Sequence, residues 1–331
     1  MKTPLATDWR EDIVDGAAQS ASERLPPIQS VKELLANQPK KPVEVVGGLL
    51  HQSSKMVVGG ASKSNKTWVL VDLAVSVATG EPWWGFSTEQ GCVLYVNLEL
   101  AETFFTDRIK AVATTKNVDP SEKLDVWNLR GHAADLDHLL PTIIQTVSQK
   151  YSLIVLDPIY KLLGGRDENR TGDIASLLNG VEKLAVETGA AIAFGAHFSK
   201  GNQASKESID RIGGSGVFAR DPDTILTMTR HEKDGAFTVE AILRNHPPIM
   251  PFVVDWDFPL MRRDDDLDPA KLKQSKKGRE PKYKVEDLVT YLNKAKAIPG
   301  LKTSEFQRRV CQETGMVRAT FYELLKQAEQ Q

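Results

Sequence analysis

Gly60-Ala61-Ser62-Lys63-Ser64-Asn65-Lys66-Thr67 lies between an apolar run, Lys55 to Gly59, and a helix-forming one, Trp68 to Ala74. Strand, small polar loop with a lysine and a hydroxyl, then helix: no other segment constrains the chain as much. Successive backbone N–H groups of such a loop curl around an anion, and the following helix aims its positive end at the same point. All eight residues, Gly60, Ala61, Ser62, Lys63, Ser64, Asn65, Lys66 and Thr67, are therefore predicted to hold the phosphates of a nucleotide. Lys66 would neutralise the outer phosphates, and the Thr67 hydroxyl would ligate Mg²⁺. The segment departs once from the pattern Gly, four residues, Gly-Lys-Ser/Thr, since Asn65 replaces the second Gly. Asparagine is among the few side chains that tolerate positive φ, so the left-handed turn before Lys66 is predicted to survive. The competing reading is a plain strand-to-helix turn, and the flanking order favours the phosphate loop.

A chain of 331 residues with 41% apolar content can bury a large core and a second, smaller one. Its net charge of −2 carries no global basic signature, so any nucleic-acid contact must come from local patches. The two cysteines, Cys92 and Cys311, sit in distant apolar segments and suit reduced thiols. No apolar stretch approaches the roughly 20 residues that span a bilayer. The N-terminal acids Asp8, Glu11, Asp12 and Asp15 do not fit a signal peptide. A cytoplasmic protein without membrane association is expected.

Residues 1–42, with Pro26-Pro27 and Pro39, read as a flexible arm carrying a short helix near Val31 to Asn37. From 43 to 262, short β-rich runs alternate with amphipathic helical stretches, the pattern of an α/β fold with a mainly parallel twisted sheet. Predicted strands are Met56–Val58, Cys92–Asn97, Leu124–Trp127, Leu153–Leu156, Ala190–Gly195, Thr224–Thr229 and Phe237–Leu243, the last two as a hairpin about Lys233-Asp234-Gly235. The charged tract 263–282 reads as a linker. Residues 283–331 read as a small helical domain, with helices Thr303–Glu313 and Arg318–Gln327 joined by a Gly-containing turn, the outline of a helix-turn-helix.

Tyr151 to Asp157 is an apolar strand ending in a carboxylate. A parallel sheet would set Asp157 on the phosphate-loop edge as a second Mg²⁺ group, although apolar runs ending in Asp-Pro also occur as plain turns. Gly91 to Glu99 likewise ends in an acid, and Glu99 would orient the attacking water and accept its proton. The bland alternative is a solvated Glu99 opening the next helix. His197, ending Ala190 to His197, is placed on the same edge as a γ-phosphate sensor, or else as a structural histidine. Lys200 and Lys206 in the polar stretch beyond it would track single-strand phosphates, or be solvated.

Together these segments resemble the RecA-like core of RepA-type hexameric helicases and the related AAA-family ATPases of plasmids and phages. Gly48-Leu49-Leu50, Gly60 to Thr67, Leu73 to Gly80, Val93 to Glu99, Ile154 to Asp157, Ala196 to Asn202, Gly213 to Asp223 and Leu243-Arg244-Asn245 carry the resemblance. It implies an ATP- and Mg²⁺-dependent enzyme that forms a homo-oligomeric ring, a hexamer, with ATP between neighbours. By that carry-over Arg244 is the first choice for a trans-acting finger, with Arg211 and Arg220 as alternatives. The tail resembles a winged-helix or helix-turn-helix module, and Arg318 and Lys326 are its candidate DNA contacts, with protein binding as the alternative. The expected function is an ATP-dependent DNA helicase or translocase in replication of a plasmid, phage or integrated element, with single-stranded DNA as substrate and a primase or initiator protein as a further partner. A RecA-like recombination or loading ATPase that does not unwind, and a DNA-binding regulator switched by ATP, are the two competing expectations.

Overall fold

The computed structural model describes residues 27–132, 136–147, 150–167, 170–197, 211, 220–274, 283, 288–291 and 303–328. Lys200 and Lys206 lie outside the described residues, as does most of Gly213 to Asp223. Two compact units are present, Met1–Val43 and Glu44–Gln331. In the first, α1 (Val31–Ala36) forms where the sequence predicts a short helix. Ser30 and Glu33 close its start reciprocally: Ser30 Oγ accepts from the Glu33 N–H at 3.2 Å, and the Glu33 carboxylate accepts from the Ser30 N–H at 2.8 Å.

In the second unit, β1 (Glu44–Val46) and β2 (Leu50–His51) make a small antiparallel pair beside a nine-stranded sheet. The large sheet comprises β3 (Lys55–Gly60), β4 (Val93–Asn97), β5 (Leu124–Asn128), β6 (Leu153–Asp157), β7 (Ala191–His197), β8 (Thr224–Arg230), β9 (Phe237–Leu243), β10 (Phe252–Asp257) and β11 (Leu260–Asp264), in the order β5-β4-β6-β7-β3-β8-β9-β10-β11. Pairing is parallel from β5 through to β8, and antiparallel from β8 to β11. The α/β class and every predicted strand are present.

Side-chain alternation explains why this sheet is covered on both faces. Met56 and Val58, Val93 and Tyr95, Leu153 and Val155, and Ala191 and Ala193 point into one apolar cluster with α2 (Lys66–Thr79) and α3 (Glu102–Lys116). Val57, Leu94 and Val96, Ile154 and Leu156, and Ile192 and Phe194 point into a second cluster with α4 (Leu136–Val147) and α5 (Thr171–Thr188). Every residue of α2 from Val69 to Ala78 is buried, including Asp72 and Ser76. Lys116 on α3 reaches that pair, donating to Asp72 Oδ1 and Ser76 Oγ at 2.8 Å each. Burial and this ion pair anchor the middle of α2 between the sheet and α3.

Three sequence expectations need correction. The helix after β4 begins at Glu102, not Glu99, and Glu99 sits in a bend. Strands β10 and β11 add to the sheet beyond the predicted hairpin. The charged tract does not leave the core at 263: Arg262 and Arg263 are part of β11, and Lys273 N–H still donates to Arg230 O at 2.8 Å. β11 is an edge strand, and edges carry outward charges that mask a strand's apolar period.

In the C-terminal part, α6 (Thr303–Thr314) and α7 (Arg318–Ala328) share their own apolar cluster of Leu288, Phe306, Val310, Met316, Phe321 and Leu324. Gly315 between them has φ +71, the left-handed conformation that the turn requires.

Candidate nucleotide site

The phosphate loop closes where β3 meets α2. Gly60 ends the strand, and a Cβ built on it would lie 2.5 Å from Ser64 Oγ, a side chain only 1% exposed, so the loop folds back on itself only with glycine there. Asn65 caps α2 in the left-handed region, φ 59 and ψ 22, as the sequence predicts for the residue replacing glycine. Its side chain makes no capping bond, so the backbone N–H groups at the helix start are left to face the loop.

Lys66 extends across this loop. Its ammonium donates to Gly60 O at 3.0 Å and Ala61 O at 2.9 Å, and lies 3.4 Å from His197 Nδ1. Burial lowers the Lys66 pKa to about 8, against the opposing pull of Asp157 and Glu99. His197 ends β7 in direct register with Gly60, which is how a strand neighbour delivers an exposed imidazole to the loop.

Asp157 ends β6 on the same edge and is buried. Burial pushes its carboxyl pKa up, while hydrogen bonds from Tyr95 and Thr67 and the charge of Lys66 draw it back down. Tyr95 donates to Asp157 Oδ2 at 2.8 Å. A buried carboxylate joined to the Thr67 hydroxyl lacks full compensation for its charge, and a divalent cation between the two would supply it, so the residues fit Mg²⁺.

Glu99 is exposed in the bend after β4 and lies near enough to act electrostatically on Lys66, Asp157 and Arg108. Asn97 shapes this bend: its Oδ1 accepts from the N–H of Leu100 at 3.0 Å, and its Nδ2 donates to Leu100 O and Asn128 Oδ1. Parallel register sets Asn97 opposite Asp157, so both acid-bearing strand ends stop at one level.

Four contributors went unseen in the sequence: Tyr95, Asn97, Arg108 and Trp68. Arg108, on the first turns of α3, lays its guanidinium 4.7 Å from the Trp68 ring and interacts with Tyr95, Asp157 and Glu99. Trp68 packs in turn against Trp256 and Phe258. The acids after β4 and at the end of β6 carried a sequence signal; Tyr95 and Asn97 needed the sheet register, and Arg108 and Trp68 the packing of α3 against α2. Beside the loop a cleft of about 220 Å³ is lined by four cationic side chains, Lys63, Arg230, Lys233 and Lys273, together with Asn65, Asp234 and Trp256 among others.

The structure thus groups Lys66, Thr67, Asp157, Glu99 and His197 on one sheet edge. The remaining candidates among the described residues lie apart. Arg244 follows β9 at the opposite edge, exposed, with a guanidinium nitrogen donating to Arg220 O and another 3.8 Å from Asp223. Arg211 is 4% exposed and paired with Glu240 and Thr229, so in this conformation it is not presented to a neighbouring subunit as the alternative finger reading requires. Arg220 is exposed. Arg318 and Lys326 are exposed on α7, Arg318 against the Tyr322 ring.

No helix among the described residues is long and apolar enough to cross a membrane. No curated protein matches the chain. A family model described as AAA domain matches residues 19–203, more than half of the chain. The chain belongs to this AAA domain family of P-loop ATPases.

Proposed function

We propose that this ATPase is a Mg²⁺-dependent DNA translocase of the RepA-like helicase type, acting in replication of a plasmid, phage or integrated element. The grouping of Lys66, Thr67, Asp157, Glu99 and His197 on one strand-end edge supports the hydrolytic half of this reading. Mg²⁺, held by Thr67 and Asp157, would neutralise phosphate charge. The backbone amides of residues 60–67 bind the phosphates, and Lys66 moves from the Gly60 and Ala61 carbonyls onto them. Glu99 orients water and accepts its proton, while Arg108 holds positive charge near both carboxylates. His197, touching Lys66, links phosphate occupancy to the segment that follows β7.

Arg244 lies on the edge away from its own loop, a placement that suits a group supplied to a neighbour's nucleotide in a homo-oligomeric ring such as a hexamer. Lys200 and Lys206 would contact single-stranded DNA, and Arg318 and Lys326 a second DNA segment through a helix-turn-helix or winged-helix tail. A primase or initiator protein is the partner such an enzyme would meet.

Steady-state ATP hydrolysis with and without single-stranded DNA tests this reading. Native protein should turn over faster with the strand, and Glu99→Gln should abolish turnover while keeping nucleotide binding. Strand release from a forked duplex separates the helicase from a loading or recombination ATPase. Slow hydrolysis indifferent to DNA would instead favour the ATP-switched regulator.

A further inference from the structure

Glu44, His51 and His246 bring a carboxylate and two imidazoles together at the edge opposite the phosphate loop, a ligand atom of each lying within 4.8 Å of the others. They come from β1, β2 and the turn after β9. The small hairpin is fixed to the main sheet by the Thr224 hydroxyl, which donates to Leu49 O. Glu44 Oε2 accepts from the Gly48 N–H at 2.8 Å, and Oε1 lies 3.7 Å from His51 Nε2. The His51 and His246 rings stack at 4.2 Å with 9° between their planes. Nε2 of His246 is buried and has no hydrogen-bond partner among the described residues, a state that costs free energy unless something else takes its lone pair.

We propose that Glu44, His51 and His246 form a binding site for a divalent transition-metal ion of the zinc class, separate from the phosphate loop. Two imidazoles and one carboxylate are a donor set for Zn²⁺ with a fourth position open, whereas Mg²⁺ prefers oxygen ligands throughout. Bonds of roughly 2.0–2.2 Å need ligand atoms about 3.3 Å apart. The stacked rings therefore tilt out of parallel as their lone pairs turn onto the ion. The Gly48 N–H holds the carboxylate from behind, the kind of outer support that orients a ligand. A bound ion would tie the β1–β2 hairpin to the segment that carries Arg244 and Asn245, bracing the edge that faces away from the nucleotide.

Tag-free protein, stripped with a chelator and then titrated with Co²⁺ followed by Zn²⁺, provides the test. One equivalent of Co²⁺ should develop visible d–d absorption that Zn²⁺ displaces, and Zn²⁺ should raise the thermal midpoint. Glu44→Gln, which keeps the shape of an exposed side chain, and His246→Ala should each weaken affinity by more than about 100-fold. His132→Ala, at an exposed imidazole elsewhere, should change nothing. Circular dichroism and Mg²⁺–nucleotide binding by the same variants show that they remain folded. Absence of saturable Co²⁺ or Zn²⁺ binding, or binding unchanged in both Glu44→Gln and His246→Ala, overturns the proposal.

Discussion

Nucleotide binding should take up a proton at Lys66. Burial draws that ammonium down to about 8, so at pH 8 half of the free protein carries it neutral. A polyphosphate beside Nζ favours the charged form and raises its pKa. Uptake on binding a Mg²⁺–nucleotide would be about 0.1 proton at pH 7, about 0.5 at pH 8 and about 0.9 at pH 9. Affinity follows the same sign: level below pH 7, then weakening toward tenfold, about 1.4 kcal/mol, per pH unit above 8. Calorimetric titration at pH 8.5 in two buffers of unlike ionisation enthalpy measures the uptake directly. Lys66→Arg keeps the positive charge with no titration in this window, and uptake should vanish there whatever the affinity. Uptake below about 0.1 proton in the native chain, or equal uptake in the arginine variant, would refute the reasoning.

Lys66 also places a desolvated charge in the folded protein. The unfolded chain, with the ordinary value of 10.5, keeps a proton that the folded form sheds from about pH 8, so stability should rise with pH through that interval. Lys66→Met should then be more stable by up to roughly 3 kcal/mol, read as a higher thermal midpoint, while abolishing nucleotide binding; a less stable methionine variant would contradict this. Tyr95→Phe removes the buried donor to Asp157 and should cost about 1–3 kcal/mol in urea unfolding and weaken Mg²⁺-dependent turnover, with an unchanged Mg²⁺ response counting against the assigned contact. Lys116→Met strands Asp72 in the core, at a cost of about 3–5 kcal/mol. Adding Asp72→Leu should recover most of that loss, and failure of this rescue would argue against the ion pair as its cause. Since Asn65 already holds the left-handed turn, Asn65→Gly should leave turnover within about twofold, and a much faster glycine variant would show that asparagine slows the reaction.

Local order made the loop and the central strands readable. Residues 55–67 combine a buried strand, a turn with one position needing positive φ, and a helix start, and each leaves its own mark on neighbouring residue types. Asp157 and Glu99 were readable because a parallel sheet places strand ends on one edge. Tyr95 was not, since its hydroxyl finds Asp157 only through the pairing of β4 with β6, across 62 residues. Arg108 was hidden for a similar reason: on a helix of mixed polarity it looks like any solvated charge until Trp68 and the two acids are brought beside it. β11 was hidden by the outward arginines of an edge strand, and the Glu44–His51–His246 cluster by the separation of its members in the chain.

The central claim is that the main-chain loop from Gly60 to Thr67, with Lys66, grips a magnesium-bound triphosphate. Calorimetric titration of the native protein with Mg²⁺ and a nonhydrolysable ATP analogue, beside Lys66→Met, tests it most directly. Saturable heat in the native protein that disappears in the methionine variant is the predicted result. No saturable heat in either protein, or equal heat in both, would contradict the account.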